Sequence, residues 1–303
     1  MTVDSRNTTQ RRAIIELVLA MIIGGTVGVF ALETRLDAYT VVFFRCLFGG
    51  IFLGLLCLAM GYFRGLRLTR RLFALAVLSG VALVINWLAL FQAFHLTSIA
   101  VSTMLYHLQP FWIVVMGAVF FGERFSADKF VWIIFAFVGL ALAAGVTAQM
   151  LQSNAGYLLG VGLAILASFT YALTTVLTKG LGAIPPQVLA FIHTCIGVLM
   201  LWSLVDFAGL HAVPGASWGW LLGLGLIHTG LLYILMYSAY PKLQTPFIAV
   251  MAFIYPVVAI FADWLVYDRP ISLWQGLGFL LIAGASLGVN LGWRILPRSR
   301  RPA

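Results

Sequence analysis

The most chemically capable side chains of this chain surround a proline in the apolar stretch of residues 97–126. Tyr106, His107 and Gln109 directly precede Pro110, and on a helix they would lie within about one turn of each other. Proline lacks an N–H and clashes with the carbonyl four residues earlier, so the carbonyl of Tyr106 loses its usual donor. A free carbonyl beside a phenol, an imidazole and a carboxamide can bind a polar zwitterion. The alternative is a plain kink that a neighbouring helix or water satisfies.

The same pattern recurs in the second half of the chain. Pro110 maps onto Pro256, an offset of 146 positions (256 − 110), and Tyr255 stands beside the second proline. In transporters, internal repeats with broken helices place a substrate site near the bilayer midplane, where the two repeats meet. We therefore predict that the two prolines are hinges and that their helices face one substrate site.

Further candidates for substrate contact are polar or aromatic side chains in other apolar stretches, where they usually face a cavity or each other. The predicted binding residues are Asn86, Trp87, Tyr106, His107, Gln109, Tyr171, His228 and Tyr255. We expect the apolar part of a substrate to rest on the aromatic rings and its polar head to meet Asn86, His107 and Gln109. The alternative for each ring is a place in the core or at the lipid interface. The histidines also offer proton coupling, because imidazole titrates near physiological pH.

Fixed charges and catalytic motifs are scarce. Arg45 and Asp263 are a candidate outer gate pair, and two separate interfacial side chains are the equal alternative. The chain has no G-x-x-x-x-G-K-[ST], H-E-x-x-H or G-x-S-x-G motif, and its three cysteines have no paired spacing. The sequence therefore predicts neither an enzyme nor a metal site, and no cofactor.

The elements that must position these residues are membrane helices. Hydrophobic residues make up 62% of the 303 positions and charged residues 9%, against about 25% charged in soluble domains. Such a chain needs lipid around most of its surface. Ten stretches reach the length of about 20 apolar residues that spans a bilayer: residues 14–32, 39–61, 72–93, 99–121, 130–148, 156–178, 187–208, 217–237, 245–266 and 273–293. The predicted fold class is an all-α integral membrane protein with ten transmembrane helices.

The basic residues predict the orientation of these helices. Of the 18 lysines and arginines, fifteen fall on one side of the membrane, Arg35 and Arg269 on the other, and Arg45 within it. Basic loops stay cytoplasmic, so both termini are predicted to be cytoplasmic. This accounts for the net charge of +9 without a nucleic-acid partner. Five helices per repeat is an odd number, so the two repeats are predicted to be inverted. The predicted organisation is a cytoplasmic segment (1–13), a first repeat (14–148), a second repeat (156–293) and a basic cytoplasmic tail (294–303).

The chain resembles the EamA repeat of the drug/metabolite transporter superfamily, in FQAFHLTSIAVSTMLYHLQPFWIVVMGAVFFGERFS and its copy YSAYPKLQTPFIAVMAFIYPVVAIFADWLVYDRPIS. The first copy carries the closing Gly122-Glu123 of that repeat, whereas the second has Asp268-Arg269 there. Within the superfamily it is most similar to the YddG-type bacterial exporters of aromatic and other amino acids. The resemblance implies export of neutral or hydrophobic amino acids through a cavity between helices 1–4 and 6–9. It also implies that helices 5 and 10 act as supports.

We therefore expect a secondary or facilitative transporter of the bacterial inner membrane that exports amino acids by alternating access. One alternative is an exporter of amphipathic organic cations or other small metabolites, which predicts a carboxylate in the cavity. A second alternative is a non-transporting membrane scaffold, which the short loops disfavour. The expected partners are a small-molecule substrate, an amino acid, and the lipid bilayer. The chain is expected to act as a monomer or a homodimer.

Overall fold

A computed structural model of the chain describes residues 3–66, 68–121, 127–143, 155–239, 242–243, 251 and 254–295. Within these ranges the regular structure is helical, and no strand occurs. In chain order the helices are α1 (Val3–Gly25), α2 (Val27–Glu33), α3 (Ala38–Ala59), α4 (Arg70–Leu96), α5 (Ile99–Tyr106), α6 (Gln109–Phe121), α7 (Ala127–Ala143), α8 (Ala155–Thr178), α9 (Pro186–Leu201), α10 (Gly215–Gly225), α11 (Leu232–Ala239), α12 (Ile254–Tyr267) and α13 (Leu273–Leu291). A π-helical turn, Leu226–Leu231, joins α10 to α11. Short 3-10 turns span Lys179–Leu181, Trp202–Leu204 and Ala208–Ala212.

Several helical stretches are suited to a bilayer. Six are long and apolar enough to cross it: Gln10–Glu33, Ala38–Ala59, Arg70–Leu96, Ala155–Thr178, Pro186–Leu204 and Gly215–Met236. Shorter apolar stretches are Val131–Leu140, Ile254–Tyr267 and Leu273–Gly288. Large apolar side chains such as Leu58, Leu199 and Leu280 are exposed, as lipid-facing residues are. The structure therefore indicates a multi-pass membrane protein, while the ten spans and the side of the termini remain predictions.

The helix order of the first half recurs in the second. The helix α6 carries Pro110 in its first turn, and its counterpart α12 carries Pro256 in its first turn. The pairs α3 and α9, and α7 and α13, correspond in the same way. Gly122, Glu123 and Ser126, which close the first copy of the repeat, lie outside the described residues, as do residues 296–303 of the predicted tail.

The two halves pack helix against helix. The helix α4 packs along α8, α3 along α9, and α7 along α13. The last pair is very close, because a side chain at Gly278 would collide with the backbone of Gly139 and Ala143. Gly288 likewise faces the ring of Trp132 within the same chain. Neither α7 nor α13 contributes a residue to the described lining of the two cavities below.

Two helix starts next to the cavity are fixed by short polar side chains. Asp37 accepts a hydrogen bond from the backbone N–H of Thr40 (3.0 Å) at the start of α3. Ser98 accepts one from the N–H of Val101 (3.1 Å) at the start of α5. Such caps satisfy N–H groups that have no helical acceptor, and each stabilises the fold by roughly 1 kcal/mol. They fix where the helices that carry Arg45 and the residues before Pro110 begin.

Candidate substrate-binding site

A central cavity of about 260 Å³ lies between helices of the two halves. Seven of the eight residues predicted to bind substrate line it: Trp87, Tyr106, His107, Gln109, Tyr171, His228 and Tyr255. The eighth, Asn86, is fully buried and is not among the lining residues. Its Nδ2 donates to the carbonyl of Ala167 at 2.6 Å, which ties α4 to α8. The sequence grouped these residues by type, and the fold brings most of them to one place.

The predicted proline break is visible in the backbone. The helix α5 ends at Tyr106 and α6 begins at Gln109, so the ladder is interrupted three residues before Pro110. Pro110 lies in the first turn of α6, where its missing N–H removes no helical hydrogen bond. His107 caps α5, and its ring Nδ1 hydrogen-bonds the carbonyl of Thr103 at 2.8 Å. The break and this bond hold the imidazole at the cavity wall.

Aromatic rings form most of that wall. The rings of Tyr106 and Tyr171 lie 5.5 Å apart, and the rings of His107 and Tyr255 lie 5.7 Å apart. Two buried polar atoms near them, Asn86 Oδ1 and Thr103 Oγ1, have no hydrogen-bond partner within the described part of the chain. An unsatisfied buried polar atom costs about 1–3 kcal/mol. The described lining is therefore mainly aromatic and apolar, and neither Asn86 nor Thr103, both fully buried, belongs to it.

The cavity also contains a fixed positive charge. Arg45 lines it and is only 6% exposed. Its Nε donates to Thr229 Oγ1 at 2.9 Å, and its Nη2 lies 3.5 Å from the carbonyl oxygen of His228. The guanidinium carbon lies 4.6 Å from the ring centre of Trp87 and 5.4 Å from that of Phe91. Both distances fall within the range of a cation–π interaction, which is worth about 2 kcal/mol when it is desolvated.

No carboxylate neutralises this arginine among the described residues. Asp263 pairs instead with Arg269, with Nη1 and Oδ1 3.5 Å apart. Its Oδ2 also accepts a hydrogen bond from the N–H of Ala100 at 3.0 Å. That N–H lies in the first turn of α5, where the helix dipole favours a negative charge. The structure thus does not bring Arg45 and Asp263 together as the pair that the sequence offered for an outer gate.

A second carboxylate inside a predicted span, Glu16, is also paired. Glu16 forms an ion pair with Arg12 at 2.9 Å, and its second oxygen lies 3.8 Å from Lys242 Nζ. The same oxygen accepts a hydrogen bond from Ser238 at 2.7 Å. This group is separate from the cavity lining, which contains no aspartate or glutamate among the described residues.

The π-helical turn explains how Arg45 finds its partners. It widens the helix by one residue per turn, and π-turns of this kind occur often at functional sites. Thr229 Oγ1 donates to the carbonyl of Leu224, five residues earlier, at 3.1 Å. One turn beyond Arg45 on α3, Gly49 allows close approach: a Cβ there would lie 2.7 Å from Thr229 Cγ2. The glycine and the π-turn together bring the threonine oxygen within reach of the guanidinium.

A second cavity, of about 300 Å³, adjoins the first. The two cavities share Trp87, Tyr171 and Tyr233 as lining residues. The second extends to the connection between α8 and α9, where Gly182 and Pro186 line it. We call it the vestibule. Three aromatic rings therefore separate the central cavity from a space that leads to one end of the bundle.

Three histidines lie along this path, and each has a neutral hydrogen-bond partner. His107 meets the carbonyl of Thr103, as described above. In the vestibule, His193 Nε2 lies 2.9 Å from Ser79 Oγ. In the central cavity, His228 Nε2 lies 3.1 Å from Thr26 Oγ1. This arrangement fits histidines that act as neutral, hydrogen-bonded groups, and proton coupling stays a prediction.

Three features of the cavity were not part of the predicted site. Arg45 was placed at an outer gate, Tyr233 was considered only as one of the aromatic residues that suggest a pocket wall, and Phe91 was not singled out. A sequence signal existed for the first: a charged residue inside an apolar helix is by default a candidate functional residue. No comparable signal marked Phe91, because one phenylalanine in an apolar stretch resembles every other.

The fold and the site together define a polytopic membrane protein with a solute-sized cavity between two similar halves. The EamA-like transporter family matches residues 11–145 and 158–291. The chain belongs to that family, with two EamA repeats, and its relatives make it a transporter by class.

The relatives and a solved structure agree with this assignment. The chain is 33% identical over 278 residues to an uncharacterized transporter, YxxF, of Bacillus subtilis (strain 168), covering 91% of this chain and 88% of that protein. It is 26% identical over 280 residues to an uncharacterized transporter of Archaeoglobus fulgidus, covering 92% and 95%. One crystal structure superposes with a TM-score of 0.61 at 17% identity, covering 92% of this chain and 96% of that one. The last comparison shows the fold alone.

Proposed function

We propose that this transporter exports amino acids from the cytoplasm by alternating access, and that aromatic and other neutral or hydrophobic amino acids are its substrates. The observation that carries the proposal is the central cavity, which combines aromatic walls with polar groups at the break before Pro110. An apolar side chain fits against Trp87, Tyr106 and Tyr171, and a carboxylate fits near Arg45. The similarity to YddG-type exporters of amino acids supports the same choice.

The proposed movement uses the repeat. We take the two repeats as inverted and both termini as cytoplasmic, because that arrangement follows from the basic loops and from five helices per repeat. Pro110 and Pro256 would act as hinges, since Pro110 lies in the first turn of α6, at the break beside the cavity, and Pro256 follows Tyr255, which lines the cavity. Arg45 and Asp263 could still form an outer gate in another conformation. In this structure the aspartate is held by Arg269.

The cation alternative lacks support from the cavity. An exporter of organic cations needs a carboxylate or a comparable negative group at its binding site, whereas the described part of the lining holds an arginine and no acidic residue. A cation beside a buried guanidinium would be repelled more strongly than in water, because the local dielectric constant is low. The scaffold alternative does not explain why polar groups surround an internal cavity.

The test is efflux from proteoliposomes loaded with labelled amino acids, with and without a pH gradient. We expect release of aromatic and branched apolar amino acids to exceed release from protein-free liposomes, and release of lysine to remain at background. Release that requires the gradient would assign the histidines to coupling. Release of a quaternary amine without any amino acid would refute the proposal in favour of the cation alternative.

A further inference from the structure

We propose that Arg45 anchors the carboxylate of the substrate and that the transported class is organic monocarboxylates with an apolar or aromatic body, for which an ammonium group is dispensable. This inference deepens the proposed function, because it assigns the chemical requirement of the same cavity. Amino acids then satisfy the site through their carboxylate, and acids without an amino group satisfy it equally well.

The first step of the argument is charge. Arg45 lies in the helical stretch Ala38–Ala59 and is almost fully buried. The whole chain has only nine acidic residues, and the ion pairs of the described part use Asp263 and Glu16 with other cations. A buried charge that no opposite charge balances is costly, and such charges within membrane segments mark ligand or ion paths. An anion that enters the cavity would supply the missing charge.

The second step is hydrogen bonding. A guanidinium has five N–H donors in one plane. Described residues accept from two of them, at Nε and, more weakly, at Nη2. Trp87 covers a face of the guanidinium and leaves its edge for hydrogen bonds. A carboxylate matches that edge, because two parallel charge-assisted bonds join the two planar groups.

The third step is the number of charges. Among the described residues that line the central cavity, Arg45 is the one lysine or arginine. One such cation balances one negative charge, so a dicarboxylate or a phosphate monoester would bring an unbalanced charge into a low-dielectric site. The site therefore favours monoanions.

The fourth step concerns the amino group. An ammonium ion is bound most strongly by a carboxylate, and none lines the cavity. The carbonyl of Tyr106 and the aromatic faces can accept an ammonium group, but the neighbouring guanidinium repels it. Removal of the amino group should therefore cost little, whereas removal of the carboxylate charge should cost much.

The test compares acids with their primary amides, which have nearly the same shape but lack the negative charge of the carboxylate. Protein in lipid nanodiscs is titrated at neutral pH with phenylalanine, 3-phenylpropionate, 4-methylpentanoate and benzylsuccinate, each beside its amide, and Kd is measured by calorimetry. We expect each monocarboxylate to bind about tenfold to hundredfold more tightly than its amide, as for a hydrogen-bonded charged group. We expect 3-phenylpropionate to bind within about threefold of phenylalanine and the dicarboxylate to bind more weakly than either.

Variants connect this preference to the residue. In R45Q the acid and its amide should bind with similar Kd values, and R45K should keep part of the preference because it keeps the charge. R35Q is the matched control, because Arg35 is exposed in the connection before α3, and it should keep the full preference. If R45Q does not fold, the ratio of the Kd of the acid to the Kd of its amide, measured in the unaltered protein and in R45K, still tests the role of Arg45.

The outcomes separate the two proposals. Binding of monocarboxylates without efflux of any amino acid would refute the proposed amino acid export and leave the role of Arg45 standing. If amino acids are released but their amides bind as tightly as the acids do, the proposed export stands and the role of Arg45 is overturned. If no monocarboxylate binds more tightly than its amide, the inference is wrong.

Discussion

The side chains of Arg45 and His107 face the same cavity but differ in the partners that the surrounding residues offer them. The ring of His107 has a backbone carbonyl at 2.8 Å, so its position is fixed by a partner on its own helix. The guanidinium of Arg45 reaches across to Thr229 and lies over Trp87, and none of these partners carries a negative charge. At this scale, the imidazole is suited to shaping and hydrogen bonding, and the guanidinium is suited to holding an anion.

The His107→Ala substitution tests the imidazole. It removes a ring that lines the cavity but leaves the backbone cap of α5 intact, so the fold should persist. We expect efflux to fall by about tenfold, the value of one net hydrogen bond and some packing. The measurement is the initial efflux rate in proteoliposomes, with the melting temperature as a check on folding. His211→Ala, in the exposed Ala208–Ala212 turn, is the control. An unchanged rate and substrate preference would exclude His107 from the site.

Two irregular elements meet at the cavity, and both open the helical backbone. The interruption between α5 and α6 presents His107, and the π-turn between α10 and α11 presents His228 and Thr229. A regular helix satisfies all its internal carbonyls, so it would offer no backbone group to a solute in a lipid-surrounded bundle. Irregular backbone at this depth is tolerated where it lines a cavity, which is where both elements lie.

The Gly49→Ala substitution tests the contact between α3 and the π-turn. The added methyl group would lie 2.7 Å from Thr229 Cγ2, so the two helices must separate. We expect a loss of about 1–3 kcal/mol of stability, as for overpacking in a core. We also expect a weaker preference for acids over amides, because Arg45 loses its register with Thr229. Unfolding by denaturant in detergent and the acid-to-amide Kd ratio are the measurements.

Gly162→Ala is the matched control for this prediction. Gly162 lies on an exposed face of α8, and a Cβ there meets nothing within 4 Å. Replacement of an exposed helical glycine by alanine should stabilise by about 0.5–1 kcal/mol and leave binding unchanged. Equal effects of the two substitutions would contradict the close contact at Gly49.

The two cavities differ in how they relate to the two ends of the helix bundle. The vestibule extends from the shared aromatic residues to the connection between α8 and α9, which the basic residues predict to be on the cytoplasmic side. At the opposite end, the rings of Phe43, Trp202 and Phe207 contact each other at 4.9–6.0 Å. With the predicted topology, we propose that this arrangement is a conformation that faces the cytoplasm, with the outer end closed by aromatic packing.

Labelling of single cysteines tests this orientation. In a chain whose Cys46, Cys57 and Cys195 are replaced by alanine, Thr175→Cys places a thiol in the vestibule. A negatively charged, membrane-impermeant thiosulfonate should modify it at least tenfold faster from the cytoplasmic face than from the outer face. Leu199→Cys, on an exposed apolar side of α9, should react slowly from both faces because lipid covers it. Faster reaction of the Thr175→Cys thiol from the outer face would reverse the proposed topology.

The sequence by itself determined that lipid surrounds the chain, that the chain resembles a transporter family, and that it contains an internal repeat. Its apolar composition requires lipid, and its spacing of prolines and aromatic residues identified the EamA resemblance that the family match confirms. These properties depend on composition or on residues close together in sequence. A helix in lipid satisfies its own backbone hydrogen bonds and needs only about 20 apolar residues. The break before Pro110 was predictable for the same reason, since proline acts on its own helix.

Only the tertiary structure decided which polar groups meet. Asn86 was expected to touch the substrate but donates to Ala167 on α8, and Asp263 lies at the start of α5 beside Arg269. Arg45 lies in the cavity because Gly49 and the π-turn bring Thr229 close to it. These partners are separated by 81 to 184 positions in sequence. Partner choice at such separations depends on the relative rotation and depth of packed helices, which the pattern along a single helix does not contain.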